Sequence, residues 1–393
     1  MLNILLGLVY FSAGAGVESP FLNLAGNFAY LDFMILFLFP SSFKFQKESI
    51  LLFLISLSLF VLSVLSIIFN FSNYTADNFV DSPFFYSVRF GFYAIVILIT
   101  SNINWNLRIR LHLVRMFLLG LIFTVLHSWL VWYSEPVYGW GKIPYLTTAI
   151  YNPNTLVYYA LIYLALDLFI PEVTVLTNIY LKFILRLIFV LTIVFSLSKA
   201  GWFILFMLLL LKFYISGFKY FLSMSLVSIL VYITLTALLP LGEIESDFVD
   251  TFNGRITGSE NSNEQRSTMF NTGIRMMMDY PILGIGPKNY RNFTKNYDGI
   301  PSRDPHNVFT WIGAELGVFA FALVISVFLV FIFYALYTFV NRKNRNAKWI
   351  PFFIVLLLQS FVSGLPLSDK ALWYVFPLLL GLGKFNFGQR HMV

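Results

Sequence analysis

Apolar residues in this chain run together in long blocks, broken by short polar connections. Blocks such as Ser49 to Phe69, Phe221 to Leu241 and Trp311 to Val340 are long enough to cross a hydrocarbon core, which takes about 20 helical residues at ~1.5 Å each. They fall near residues 2–16, 26–40, 49–69, 84–102, 112–133, 154–170, 178–197, 201–217, 220–240, 307–338, 349–366 and 371–386, which makes about 12 candidate spans. Backbone inside lipid must satisfy its own hydrogen bonds, so each block is read as a helix. The pattern predicts an all-α polytopic membrane protein of about 12 transmembrane helices. Residues 1–393 form one integral membrane domain, and 242–305 is the one interruption large enough to hold short helices of its own. No basic stretch precedes the first block and no small-residue cleavage site follows it, so Leu2 to Gly14 is expected to stay as a span.

Composition agrees with this solvent. Of 393 residues, 59% are hydrophobic and 11% charged, against roughly 25% charged in an ordinary soluble domain. The absence of cysteine removes disulfides, thiolate metal sites and a cysteine nucleophile. The 45 phenylalanines suit lipid-facing surfaces and interfacial belts. A net charge of +7 could suggest nucleic acid, but the basic residues sit between spans and report topology instead.

That topology is consistent along the chain. Lys44 and Lys47, then Arg108, Arg110 and Arg115, then Lys212 and Lys219, then Arg342, Lys343, Arg345 and Lys348 fall at alternate connections, which marks these as cytoplasmic and puts both termini inside. Of the 19 acidic residues, Glu48, Asp167 and Glu172 lie on or near the inner side, and most others lie toward the outer face. The long 242–305 connection is then outside.

Polar chemistry concentrates in that outer loop. Glu243, Glu245, Asp247 and Asp250 come first, followed by Arg255, Arg266, Arg275, Lys288, Arg291, Lys295 and Arg303. Arginine's planar fork holds phosphate oxygens bidentately, so a cluster at the membrane surface suits an anionic lipid head such as a diphosphate; a solvated loop with scattered ion pairs is the plainer alternative. Asp279 to Pro287 reads as a helix end followed by a Gly/Pro-shaped turn. Gly284 and Gly286 share a G-x-G spacing with nucleotide loops, but no strand precedes them and no third glycine follows at the required place.

Asp304-Pro305-His306-Asn307 stands where the loop re-enters the membrane, with Gly313, Glu315 and Gly317 in the first turns of a very apolar helix. Histidine accepts a proton near neutrality, so His306 is a candidate general base, with an amphipathic anchoring role as the alternative. His112, His127 and His391 have weaker settings. Lys199, in the tight outer turn Ser198 to Gly201, must pair or snorkel, and Arg89 within the fourth span poses the same question. No H-E-x-x-H, cysteine–histidine set, Walker loop or D-x-D is found, so neither a metal site nor a nucleotide-driven enzyme is expected.

The stretch from Arg266 through Gly284-Ile285-Gly286-Pro287-Lys288-Asn289-Tyr290 to Pro305-His306-Asn307 and Glu315-Leu316-Gly317 resembles the core of the O-antigen ligase and O-antigen polymerase superfamily. Tyr151-Asn152-Pro153-Asn154 is similar to the segment that often opens a middle span in that family. The resemblance covers roughly residues 145 to 320. The chain departs from it in three places. Lys199 stands where the family often has arginine, Ala320 ends the histidine motif, and Lys142 is the only cation near Tyr138 to Pro144.

The resemblance implies a metal-independent, inverting glycosyl transfer on the periplasmic side of a bacterial inner membrane, without a cofactor. The implied donor is a glycan on undecaprenyl diphosphate, and the acceptor another glycan or the lipid A core. His306 would take the acceptor hydroxyl proton. Arg266 and Lys199 would bind the departing diphosphate, with Arg255, Arg275 and Arg303 in support, while Asn307, Gly284, Gly286, Gly317 and Glu315 shape the site. Membrane lipids and a chain-length regulator are the further candidate partners; nucleic acid is not. A repeat-unit polymerase, of O-antigen or capsule, is favoured over a ligase on base rate alone. A transporter or lipid flippase is the competing class, although its polar groups would sit at mid-membrane in paired broken helices.

Overall fold

Among the described residues, the blocks that read as apolar runs fold as helices. The computed structural model describes residues 2–15, 47–74, 83–102, 107–134, 153–196, 198–216, 260–297, 305–340, 349–362 and 370–382. Among these, every regular element is helical: α1 (Leu2–Ala15), α2 (Lys47–Phe69), α3 (Phe85–Asn102), α4 (Leu107–Ser134), α5 (Pro153–Phe169), α6 (Ile179–Phe195), α7 (Lys199–Ser216), α8 (Glu260–Asp279), α9 (Val308–Val340), α10 (Ile350–Ser360) and α11 (Phe376–Leu382). A π-helical turn, Ala371–Val375, leads into α11. The expected spans near 26–40 and 220–240 lie outside the described residues; each of the others overlaps a helix. Ser49–Phe69, Leu107–Ser134 and Val308–Tyr337 are long and apolar enough to cross a membrane, and Tyr86–Thr100, Pro153–Phe169 and Ile350–Ser360 are shorter apolar helices.

The chain divides into two compact units, the first comprising Met1–Ala13, Pro20–Val114 and Glu264–Val393, the second Gly14–Ser19 and Arg115–Asn263. In the first, α2 is built inside out relative to a helix in water. Ser49, Ser56, Ser63 and Ser66 are buried, whereas Leu54, Leu57, Val61, Leu65 and Ile68 are exposed at spacings of three and four residues. An apolar stripe of that length is at ease only in lipid, where helices cohere through small residues and interhelical hydrogen bonds. The α2–α3 contact does this: Ser56 Oγ donates to the Phe90 carbonyl at 2.7 Å, and a Cβ at Gly91 would come within 3.0 Å of the Phe60 ring. The protein is an integral membrane protein.

The second unit centres on α5, whose residues Thr155 to Phe169 are all buried. Tyr163 stacks on Phe189 with centroids 3.8 Å apart, and Trp129 Nε1 donates to Thr192 Oγ1 at 2.8 Å. Asn178 caps α6, its side-chain oxygen accepting from the amides of Tyr180 and Leu181 at 2.9 and 3.2 Å. Asp167, Glu172, Arg115 and Lys212, all read as cytoplasmic, are held within this unit, joined by Arg186 from α6. Arg186 Nε lies 2.6 Å from the buried Asp167 carboxylate, Thr174 Oγ1 donates to the same carboxylate, Lys212 Nζ donates to the Leu168 carbonyl at 2.6 Å, and Arg115 donates to the Glu172 carbonyl at 2.8 Å.

Candidate functional site

The apolar run that reads as one span, 307–338, contains a break. Gly317 has φ +86° and ψ −179°, a conformation that belongs almost only to glycine, so α9 is a short helix up to Leu316 followed by a long one. Val318 to Val340 is still longer than the about 20 residues that a bilayer core requires. A break inside so apolar a helix frees backbone groups that must find partners.

The turn after α8 supplies them. Ile285 N donates to the Ala314 carbonyl at 2.9 Å, Gly286 N to the Glu315 carbonyl at 3.1 Å, and Val318 N to the Pro281 carbonyl at 2.7 Å. From α2, Ser66 Oγ lies 2.6 Å from the Leu283 carbonyl and 3.2 Å from that of Glu315, and Asn70 Nδ2 donates to the Gly284 carbonyl at 3.2 Å. The backbones approach too closely for side chains. A Cβ at Gly284 would stand 2.3 Å from the Glu315 carbonyl carbon, and one at Gly317 2.4 Å from the Ile282 oxygen. Gly284 and Gly317, at φ +64° and +86°, are therefore required by both angle and space, and Gly286 by its φ of +95°.

Glu315 is buried here, with Oε1 accepting from the Tyr290 amide at 3.4 Å. Tyr74 Oη donates to the Pro287 carbonyl at 3.0 Å; burial first, then the Glu315 carboxylate, raises this phenol above its ordinary value, so it stays protonated as a donor. Tyr290 Oη donates to the Met269 carbonyl.

The helix α8 packs on this knot through Met269, Thr272, Gly273 and Met276, one buried stripe at helical spacing. A Cβ on Gly273 would lie 3.2 Å from Thr310, and one on Gly313 2.5 Å from Met277 Sδ, so α8 lies against the first turns of α9. Arg266 and Arg275 are on α8 and both are exposed. Desolvation by the surrounding protein lowers the Arg266 pKa, yet a guanidinium keeps its charge at neutral pH.

His306, half-buried, immediately precedes α9. Asn307 caps that helix, its Oδ1 accepting from the Phe309 and Thr310 amides at 2.9 and 3.2 Å. His306 thus stands beside the residue that caps the helix leading into the knot.

Lys199 is described within the second unit, half-buried at the start of α7. Ser198 Oγ accepts from the Gly201 amide at 3.3 Å and donates to Asn154 Oδ1 at 3.2 Å. A Cβ at Gly201 would fall 2.4 Å from Val157. Two motifs far apart in sequence, Pro153-Asn154 and Ser198 to Gly201, thereby form one corner. Arg255, Arg303, Asp304, Lys142, Tyr151, Asn152, His391 and the acidic residues Glu243, Glu245, Asp247 and Asp250 lie outside the described residues. No group of three or more potential metal ligands occurs among the described residues.

The structure also joins residues that sequence reading left apart. Lys288, with a left-handed φ of +63°, holds Nζ 5.7 Å from the Tyr86 ring centroid and 5.6 Å from that of Trp311. Arg89 Cζ is 5.9 Å from the same Tyr86 ring, and Tyr86 meets Trp311 edge-on at 5.4 Å. The intramembrane charge of Arg89 was the only sequence hint of this cluster, and it named no partner.

Residues 184–325, from within α6 to the part of α9 just beyond its break, match a family model described as O-antigen ligase. No curated protein matches the chain.

Proposed function

The chain is a member of the O-antigen ligase and polymerase superfamily, and from that premise we propose that it is a repeat-unit polymerase acting on undecaprenyl-diphosphate-linked glycans. The membrane domain has about 12 spans, and the 242–305 segment is a periplasmic loop inserted in it. The donor's anomeric carbon is attacked by a hydroxyl of the acceptor glycan. His306 takes the proton of that hydroxyl, the new glycosidic bond forms with inversion, and the bond to the diphosphate oxygen breaks. Arg266 and Lys199 neutralise the departing diphosphate, with Arg255, Arg275 and Arg303 in support. The lipid diphosphate is itself the activated leaving group, so the step needs no nucleotide and no metal.

The observation that carries this reading is the break in α9. The turn after α8, Ser66 and Asn70 tie the Gly317 region down by backbone hydrogen bonds. That tie fixes the helix start that His306 and Asn307 occupy, and α8, the bearer of Arg266, packs on the same turns. A rigid mounting is what a general base and a phosphate clamp require.

The test replaces His306 and, separately, Arg266 with Ala in a strain lacking the native gene and resolves the surface polysaccharide by gel. Both variants should insert and fail to elongate, leaving core that carries one repeat. Bare core with lipid-linked polymer accumulating would identify a ligase that transfers the chain to lipid A core. Normal polysaccharide from both variants would overturn the site, and a transporter would then be the better reading.

A further inference from the structure

We infer that the last turn of α8 and the turn that follows it are set into the headgroup–acyl boundary of the bilayer, with lipid as the partner that covers Met278, Tyr280 and Ile282. This stands on the chain being a membrane protein and not on glycosyl transfer. The three side chains are exposed in a segment read from sequence as an outer loop, Met278 by 72% and Ile282 by 65%. Exposed apolar surface gathered at one place marks a contact with a partner.

Two helices fix the height of that turn. Ser66 Oγ, 2.6 Å from the Leu283 carbonyl, lies in the apolar run Ser49–Phe69, about 4–5 Å short of its end at ~1.5 Å per residue. On the other side, Val318 N donates to the Pro281 carbonyl at 2.7 Å, and Val318 opens the long arm of α9. Pro281 to Leu283 are thus pinned between the last turn of one spanning helix and the first residue of another. That level is where a hydrocarbon core gives way to headgroups. In the topology read from the charges it belongs to the outer leaflet.

Exposed apolar residues flank the turn on both sides. Ile68 and Phe69 carry the lipid stripe of α2 up to it, and Val318 and Phe319 begin the exposed surface of α9 beyond it. Lipid already covers these stripes, and the backbone of Ile282 lies between them. A lipid surface that reaches both neighbours reaches the turn as well.

Helix α8 changes polarity around its axis in the same sense. Ile274 and Met278 form an apolar row that is half-buried to exposed, and Asn271, Arg275 and Asp279 form an exposed polar row beside it. Asp279, in the polar row, accepts at Oδ2 from the Tyr297 hydroxyl at 2.7 Å. With Met269, Gly273 and Met276 against the knot, the helix has a protein face, an apolar face and a water face. That is the arrangement of a helix at an interface. Tyr280, with an apolar ring and a polar hydroxyl, suits the same depth.

The chain has no cysteine, so one introduced thiol gives one label. The experiment attaches a nitroxide to Ile282→Cys, Met278→Cys, Phe319→Cys and Asn271→Cys, each made singly in the full chain in phosphatidylcholine nanodiscs. Electron paramagnetic resonance compares collisions with oxygen, which partitions into lipid, and with a water-soluble nickel chelate. The oxygen-to-nickel ratio at Ile282→Cys and Met278→Cys should exceed that at Asn271→Cys by at least about fivefold and match that at Phe319→Cys within about twofold.

A ratio at Ile282→Cys no higher than at Asn271→Cys would put the turn in water and overturn the inference. Low collision with both reagents would mean that protein, such as a second copy of the chain, covers the turn, and this overturns the lipid assignment too. All four positions except Met278 and Ile282 serve as references, and these two are independent exposed sites, so either one decides the matter if the other variant fails to fold. The proposed function stands or falls separately, on the polysaccharide made by the His306 and Arg266 variants.

Discussion

Replacing Gly317 with Ala tests the knot on which the site is built. The substitution has two costs. At φ +86° and ψ −179° an L-residue sits in a region that only glycine occupies freely, a strain of about 3 kcal/mol. Its Cβ would also stand 2.4 Å from the Ile282 oxygen and 2.7 Å from that of Pro281, and backbone atoms cannot swing aside. Relieving the clash parts the two strands of chain and gives up the bond from Val318 N to Pro281, worth about 1 kcal/mol. The sum is about 4 kcal/mol.

Gly313→Ala is the matched control. Its Cβ would meet Met277 Sδ at 2.5 Å, and a thioether side chain can rotate away, so the cost should stay near 1 kcal/mol. The assay is reversible unfolding in mixed micelles titrated with sodium dodecyl sulfate, read by tryptophan fluorescence. A Gly317→Ala protein within about 1 kcal/mol of the parent would refute the argument, because the break would then be a loose kink and not a locked joint.

Other outcomes follow from the same contacts. Asn307→Ala removes the cap of α9 and should cost about 1 kcal/mol while lowering glycan elongation; Asn307→Asp, which caps equally well, should keep both stability and product on the gel. Ser66→Ala removes a hydroxyl shared by the Leu283 and Glu315 carbonyls and should destabilise by about 1–2 kcal/mol in the same unfolding titration, with a cysteine at 66 failing to rescue it. Asp167→Asn leaves the Arg186 guanidinium without its 2.6 Å partner and should cost about 3 kcal/mol; the Asp167→Asn/Arg186→Gln pair should recover part of it, and no recovery would show that the two act separately.

The helices were legible because lipid imposes a length and a composition that any reader can count. Ser49 to Phe69 could hardly be anything else. The turn at Gly284 and Gly286 was legible too, since glycine and proline in that order announce an unusual backbone. The break at Gly317 was not: its immediate neighbours Leu316 and Val318 are both apolar, and glycine is common in membrane helices without breaking them. Contacts across long separations were the least visible. Nothing local in Arg89 points to Lys288, nothing in Asn154 points to Ser198, and the Arg186–Asp167 pair went unread because Arg186 sits inside an apolar block. Pairing of that kind is decided by which helix faces meet, and hydropathy does not carry it.

The hydrogen bonds from Ser66 to Leu283 and to Glu315 join residues 217 and 249 positions apart, and that from Asn70 to Gly284 spans 214. A ribosome adding about 5–20 residues per second needs on the order of ten to fifty seconds to travel that distance. Throughout this interval the C-terminal end of α2 is already made while the carbonyls it will bind do not exist. The joint around Gly317 is thus closed late in synthesis, and a chain arrested before α9 would hold its first helices in the bilayer with no His306 and no fixed place to put one.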